Sequence, residues 1–190
     1  MIRLVGEILN VSRIELGELI INPQPTDLEG LVQSCIDEVA PLARERGAKI
    51  SLVAPKRLAH LPIDPNLFEQ VVHNLLTNAI RYTKPSGGKV VVEVKKTTRT
   101  YTVSVTDNGI GIPQRAQNSI FERFYRADNA IETEADGTGL GLYLVKMVLQ
   151  AAGCSVSFKS TEGKGTVFYV TIPLKGMKAR AGSKELSRVV

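Results

Sequence analysis

The sequence predicts one α/β domain. Three segments carry apolar residues at the three- and four-residue steps of amphipathic helices, and they alternate with short Val- and Tyr-rich segments that read as strands. A length of 190 residues suffices for one real core with an appendage, but not for two full-sized domains. With 43% hydrophobic and 23% charged residues, the composition is that of a globular chain and excludes a wholly disordered, collagen-like or coiled-coil one.

The elements follow in order. Ile2, Val5, Leu9, Ser12, Leu16 and Leu19 predict a helix over residues 2–20, ended by Asn22-Pro23-Gln24-Pro25. Thr26-Asp27 is an N-cap signal for a second helix, whose stripe of Leu28, Leu31, Val32, Cys35, Val39 and Leu42 runs until Gly47. A strand over 49–54 comes next. Asp64-Pro65, a cap followed by proline in the first turn, opens a third helix that reaches about residue 83, where Lys84-Pro85-Ser86-Gly87-Gly88 forms a turn. Segments 89–96 and 100–106 read as a hairpin. Residues 107–135 have little periodicity and an aromatic cluster, so they predict a long loop with short helices, and a loop of that length usually carries function. A helix over 137–152 and strands over 154–160 and 166–174 complete the pattern.

The formal charge of +5 invites a nucleic-acid reading, but its location removes it. From Lys175 onward Lys175, Lys178, Arg180, Lys184 and Arg188 face Glu185 alone, which leaves the body with 19 basic and 18 acidic groups. No apolar run approaches the roughly 20 residues of a membrane span, and Glu7 interrupts any leader-like core. The expectation is a soluble, unprocessed chain without membrane contact. Cys35 and Cys154 lack neighbours at zinc spacing and read as small buried hydrophobes in a reducing compartment.

Three patterns could carry chemistry. At about 100° per residue, Gln70, Asn74, Asn78 and Arg81 of the third helix form a narrow stripe beside its apolar arc. The plain reading is a solvated face. Asparagine is a poor helix former, however, and an amide oxygen is a hard ligand for Mg²⁺ while arginine meets phosphate. Asp107-Asn108-Gly109-Ile110-Gly111 ends a strand in which Tyr101, Val103 and Val105 share a face with Asp107. A carboxylate aimed inward needs a donor, which the amino group of a purine would supply; the alternative is a turn capping the strand. Gly137-Thr138-Gly139-Leu140-Gly141-Leu142 opens a helix after a loop, as in a phosphate cradle, but matches neither the dinucleotide fingerprint nor the P-loop.

Taken in order, Asn74-x-x-x-Asn78, Asp107-x-Gly109-x-Gly111, Phe121-Glu122-Arg123-Phe124-Tyr125-Arg126, the Gly137–Leu142 stretch and Gly163-Lys164-Gly165-Thr166 resemble the N, G1, F, G2 and G3 boxes of the catalytic ATP-binding domain of sensor histidine kinases. The resemblance covers about residues 26–174. It implies a two-layer α/β sandwich, with a mixed, mostly antiparallel sheet and helices on one face (a Bergerat-type fold). Residues 26–175 would form that domain, and 176–190 a basic, disordered tail. Residues 1–25 would hold the linker and the end of the second helix of a dimerisation hairpin, since Leu9-Asn10-Val11-Ser12-Arg13-Ile14-Glu15-Leu16-Gly17 is similar to that helix.

Carried over residue by residue, the resemblance implies ATP and Mg²⁺ as ligands. Asn78 would hold the metal and Asn74 would support the metal and phosphate region. Arg81 and Tyr82 would contact the phosphates and the nucleotide rim, and Asp107 would accept from the adenine amino group. Gly109, Gly111 and Ile112 would shape the base pocket. Arg126 would stabilise charge on the γ-phosphate, so that Asn74 and Arg126 form the catalytic set. Gly137, Thr138, Gly139, Leu140, Gly141 and Leu142 would be hinge and cradle under a mobile lid, residues 115–136, anchored by Phe121, Phe124 and Tyr125. Thr166 would complete the nucleotide contacts.

The chain departs from the kinase pattern in its histidines. Only His60 and His73 occur. Neither has an acceptor-like setting, and His73 lies about 140° around the helix from Asn78. The expectation is therefore a catalytic part of a longer kinase, homodimeric when complete. It would phosphorylate a histidine on a dimerisation segment outside this chain, with onward transfer to a response regulator, in the cytoplasm. Any membrane anchor would lie in segments outside it. Gyrase-type relatives place a glutamate one turn before the metal asparagine. Asn74 stands there and cannot take a proton from water, so transfer is expected over hydrolysis. A related serine kinase and a non-catalytic nucleotide-binding scaffold are the alternatives.

Overall fold

Valine alternation builds the sheet. In the computed structural model, which describes residues 12, 16–55 and 59–181, five strands lie in the order β2-β4-β5-β7-β6: β2 (Ala48–Val53), β4 (Gly88–Lys96), β5 (Thr100–Asp107), β7 (Gly165–Pro173) and β6 (Ser155–Thr161). Only β2 and β4 run parallel; the other neighbours are antiparallel. Val90, Val92, Val94, Val103, Val105, Val170 and Ile172 are buried on one face, as period-two alternation requires.

Three helices cover that face. α1 (Leu28–Glu45) starts where the Asp27 carboxylate accepts from Glu29 N–H. α2 (Pro65–Arg81) starts where Asp64 accepts from Leu67 N–H at 3.2 Å, with proline in its first turn. α4 (Gly141–Ala151) follows the short lid helix α3 (Asp128–Thr133). α2 lies between α1 and α4. It buries Phe68, Val71, Val72, Leu75 and Leu76, and with them Asn74 of the amide stripe. The two-layer sandwich is as expected.

Four features differ from the sequence reading. Residues 24–26 (β1, Gln24–Thr26) and 61–63 (β3, Leu61–Ile63) form a small antiparallel sheet. Pro23 and Pro25 read as the end of a helix and residues 58–62 as a short strand or loop; Pro25 and Pro62 stand opposite each other in the register, so two residues without an N–H share one place in the ladder. α4 begins at Gly141 rather than 137, because Gly139 takes a φ of 69° that a helix cannot use.

The helix expected over 2–20 falls mostly outside the described residues. Its described end has Leu16 N–H donating to Ser12 O at 2.9 Å, a turn at Gly17 with φ 74°, and then Leu19 and Ile21 buried in the core, so it does not reach residue 20. Finally, the start of the expected tail is packed. Met177 is 5% exposed, its N–H donates to Pro62 O at 2.8 Å, and Ile21 and Arg180 exchange backbone hydrogen bonds. The folded unit therefore takes in residues on both sides of 26–175. Cys35 and Cys154 are buried free thiols, and burial pushes them up to about 12 and about 11.

Candidate functional site

A cleft opens between α2, the ends of β5 and β7, and the lid. Asp107 ends β5, paired with Val90 of β4. Its Oδ1 accepts from Gly109 N–H at 2.8 Å and Thr166 N–H at 3.3 Å. Burial raises its pKa from 3.8 to about 6, and those two N–H groups only partly oppose the rise. Thr166 is buried, with Oγ1 2.8 Å from Ser160 Oγ, and the same serine accepts from Ile112 N–H at 2.8 Å. One hydroxyl network thus fixes the floor beside the carboxylate.

Glycine at 109 lets this turn meet α2. A Cβ there would strike the Tyr82 carbonyl, and the next residue, Ile110, donates its N–H to that carbonyl at 2.9 Å. Asn74, Asn78, Arg81 and Tyr82 all line the cleft, as do Asp107, Gly111, Ile112, Gly137, Thr138, Gly139, Gly141, Leu142, Thr166 and Arg126. Two expected site residues do not. Gly109 packs against the end of α2, and Leu140 is 1% exposed in the core. Asn74 is itself buried under the start of α4, 3.4 Å from the position of a Cβ on Gly141.

Among the described residues three arginines reach the lid, one of them Arg115, which pairs with Asp128 at 2.9 Å. Arg126 donates to the carbonyls of Ala130 at 3.2 Å, Ala135 at 2.8 Å, Gly137 at 3.2 Å and Glu134. Arg46, the cap at the end of α1, reaches the Glu134 carboxylate at 2.6 Å. Phe121 packs edge-on against Phe158 and Phe168 and anchors the lid as expected. Phe124 does not. It is 58% exposed at a φ of 63°, with its N–H bound to Gly139 O, because the backbone there turns to meet the glycine stretch.

Residues 63–176 match the family described as histidine kinase-, DNA gyrase B- and HSP90-like ATPase. The chain belongs to that ATPase family. It is 34% identical over 177 residues to sensor histidine kinase WalK of Bacillus subtilis (strain 168), covering 92% of this chain and 29% of WalK. Among solved structures, full-length ShkA in complex with AMPPNP superimposes with a TM-score of 0.79 at 27% identity, over 94% of this chain and 36% of ShkA. The nucleotide-free catalytic domain of histidine kinase ThkA has a TM-score of 0.68, over 82% of this chain and 99% of that one, at an identity of 23% that speaks for the fold alone. The chain thus spans about a third or less of the longer relatives.

As a member of this ATPase family, the chain has a cleft that suits its ligand. A partly desolvated carboxylate with an aligned glycine turn fits an adenine amino group, and glycines 137, 139 and 141 keep side chains off the opposite rim. Among the described residues no three His, Cys, Asp or Glu gather into a metal cage. A single amide oxygen such as that of Asn78 still suits Mg²⁺, which takes few protein ligands when phosphates and waters supply the rest. No helix among the described residues is long and apolar enough to cross a membrane. His60 is exposed, and neither it nor His73 lines the cleft.

Sequence reasoning missed Thr77, Ile120, Asn129 and Phe168 in the lining. Phe168 was legible as an inward position of its strand; Asn129 and Glu134 carried no local signal. The Arg46–Glu134 pair, half-screened at 38% and 15% side-chain exposure, is worth about 1 kcal/mol. Glu134→Gln is therefore expected to speed amide exchange over residues 128–137 about fivefold in the nucleotide-free protein. Unchanged exchange would show that the pair does not hold the lid.

Proposed function

We propose that this chain is the ATP-binding catalytic domain of a sensor histidine kinase, acting in the cytoplasm on a histidine of a dimerisation segment. That histidine would pass the phosphate to an aspartate of a response regulator, and the complete kinase would be a homodimer. The observation that carries the reading is the amide pair of α2. One turn before Asn78, where a hydrolytic relative needs a base, stands Asn74, buried and unable to take a proton from water.

In this reading Asp107 accepts from the adenine amino group, while Arg81 and Tyr82 flank the phosphates. Asn78 would hold Mg²⁺, which offsets charge on the phosphate oxygens. Arg126 must exchange its lid carbonyls for a γ-phosphate oxygen, an exchange favoured because a charge-assisted bond to phosphate is stronger than one to a neutral carbonyl. The imidazole nitrogen then bonds to the γ-phosphorus as the bond to the bridging oxygen breaks, ADP departs, and the ring proton is lost to solvent.

The test is to incubate the chain with γ-labelled ATP and Mg²⁺, alone and with a separate dimerisation segment carrying an acceptor histidine. The expected result is acid-labile, base-stable phosphate on the added segment and none on the chain. Labelled inorganic phosphate without phosphohistidine would favour the hydrolase, and phosphohistidine on His60 or His73 would overturn the view that the acceptor lies elsewhere.

A further inference from the structure

The nucleotide reading gives Asn108 no task, and its side chain does not line the cleft. Half-buried, that side chain is nonetheless fully engaged on its oxygen. Oδ1 accepts from Thr83 Oγ1 and from Lys89 N–H, both at 2.8 Å, and Nδ2 donates to Gly87 O at 3.1 Å. The amide orientation is fixed, since the reversed amide would set one N–H against that of Lys89. The Asn108 backbone N–H adds a bond to Lys89 O at 3.3 Å.

These partners stand at both ends of the segment between α2 and β4. Thr83, 5% exposed, follows the helix cap Tyr82, whose N–H donates to Asn78 O at 3.0 Å. Gly87 and Lys89 straddle the start of β4, the strand whose Val90 pairs with Asp107. The segment itself has little slack, because a Cβ on Gly88 would lie 2.7 Å from Thr83 Cγ2 and 2.8 Å from Lys84 O. Ile110 N–H holds the Tyr82 carbonyl, but a single backbone bond leaves a helix end free to pivot. The Asn108 amide supplies a second point, directly behind Arg81 and one turn behind Asn78.

We infer that Asn108 is a positioning residue, which sets the register of the α2 amide stripe against the Asp107 turn so that one nucleotide reaches both. The inference rests on the nucleotide reading above. Asp107 Oδ1 is held by the N–H groups of Gly109 and Thr166, so the base end is set without the Asn108 side chain. The phosphate end is not, since Asn78 and Arg81 ride on the helix end that Asn108 fixes. A small displacement of that end changes the base contact little. It changes the bonds to the ion and the phosphates much more, because those are short and directional.

The test compares wild type, Asn108→Ala, Thr83→Val and the double variant by equilibrium binding of ADP with a chelator and of ATP with Mg²⁺. The first ligand is held mainly through its base, the second also through the ion and the full phosphate chain. For Asn108→Ala the expected loss is about twofold or less for metal-free ADP and about tenfold for ATP with Mg²⁺. Thr83→Val removes one hydroxyl, leaves the cleft lining untouched and should show the same split at about threefold; it carries the comparison if the alanine variant melts early. The double variant should lose no more than Asn108→Ala alone, because both changes remove the same bond. Equal losses for the two ligands would reduce Asn108 to a brace of the fold, and fully additive losses in the double variant would show that Thr83 and Asn108 act apart. Either result overturns the assignment, as does unchanged binding in both single variants. Wild type binding neither ligand would overturn the nucleotide reading itself.

Discussion

Asp107→Asn is expected to weaken ATP binding about 10- to 150-fold, the range for losing a hydrogen bond to a charged group, while making the nucleotide-free protein harder to melt. Both effects come from one fact: burial raises the carboxyl from 3.8 to about 6. Its folded value lies above its unfolded one, so the folded protein holds the extra proton between those limits. The stability linked to that proton is complete below pH 3.8 and lost as pH rises through about 6. Near neutrality the charged form then costs about 3 kcal/mol, two pK steps of about 1.4 each. Asparagine, which keeps an acceptor for Gly109 and Thr166 but no charge, removes most of that cost. Binding has the opposite dependence, since the adenine amino group needs the carboxylate. ATP affinity of the wild type should fall as pH drops below about 6, and that fall should be absent in the variant. Calorimetry and thermal melts across pH 5 to 8 check both; unchanged ATP affinity would remove Asp107 from the site.

Asn78→Ala is expected to lower Mg²⁺-dependent phosphate transfer to an added acceptor segment by about 100-fold or more, while ADP still binds when a chelator is present. The amide is proposed as the protein's direct hold on the ion, and the rest of the site, from Asp107 to the glycine rim, is untouched by the change. Chelating Mg²⁺ should bring the wild type down to the level of the variant and do little more to the variant itself. A variant that transfers at the wild-type rate with Mg²⁺ would refute the metal assignment.

Legibility followed the range of the forces involved. α2 could be read closely because everything that makes it is local: the Asp64 cap, Pro65, the apolar arc and the amide stripe lie within one helix. The β4–β5 hairpin and the inward parity of Asp107 were legible for the same reason. What escaped depends on partners distant in the chain. Asn129 matters through Gly111, and Glu134 through Arg46, 88 positions away. The pair β1 and β3 are three residues each, too short for alternation to rise above their prolines. Met177 sits in a basic run whose charge suggested solvent, yet its side chain is buried, with its sulfur taking a hydrogen bond from Asp64 N–H at 3.4 Å.

The two backbone hydrogen bonds between Ile21 and Arg180, at 2.9 and 3.0 Å, join the segment that leads into the fold to the one that leaves it. Whatever chain leads in at residue 21 or out at residue 180 is joined there to the other. The knot lies beside the C-terminal end of α4, where Ala152 O accepts from Lys178 N–H, while the first residue of that helix borders the cleft. The helix has 11 residues, so knot and cleft are separated by about 16 Å. A displacement of either segment at this point therefore acts on the other through two hydrogen bonds. The joint and the cleft thus stand at opposite ends of one helix, with the length of α4 between them.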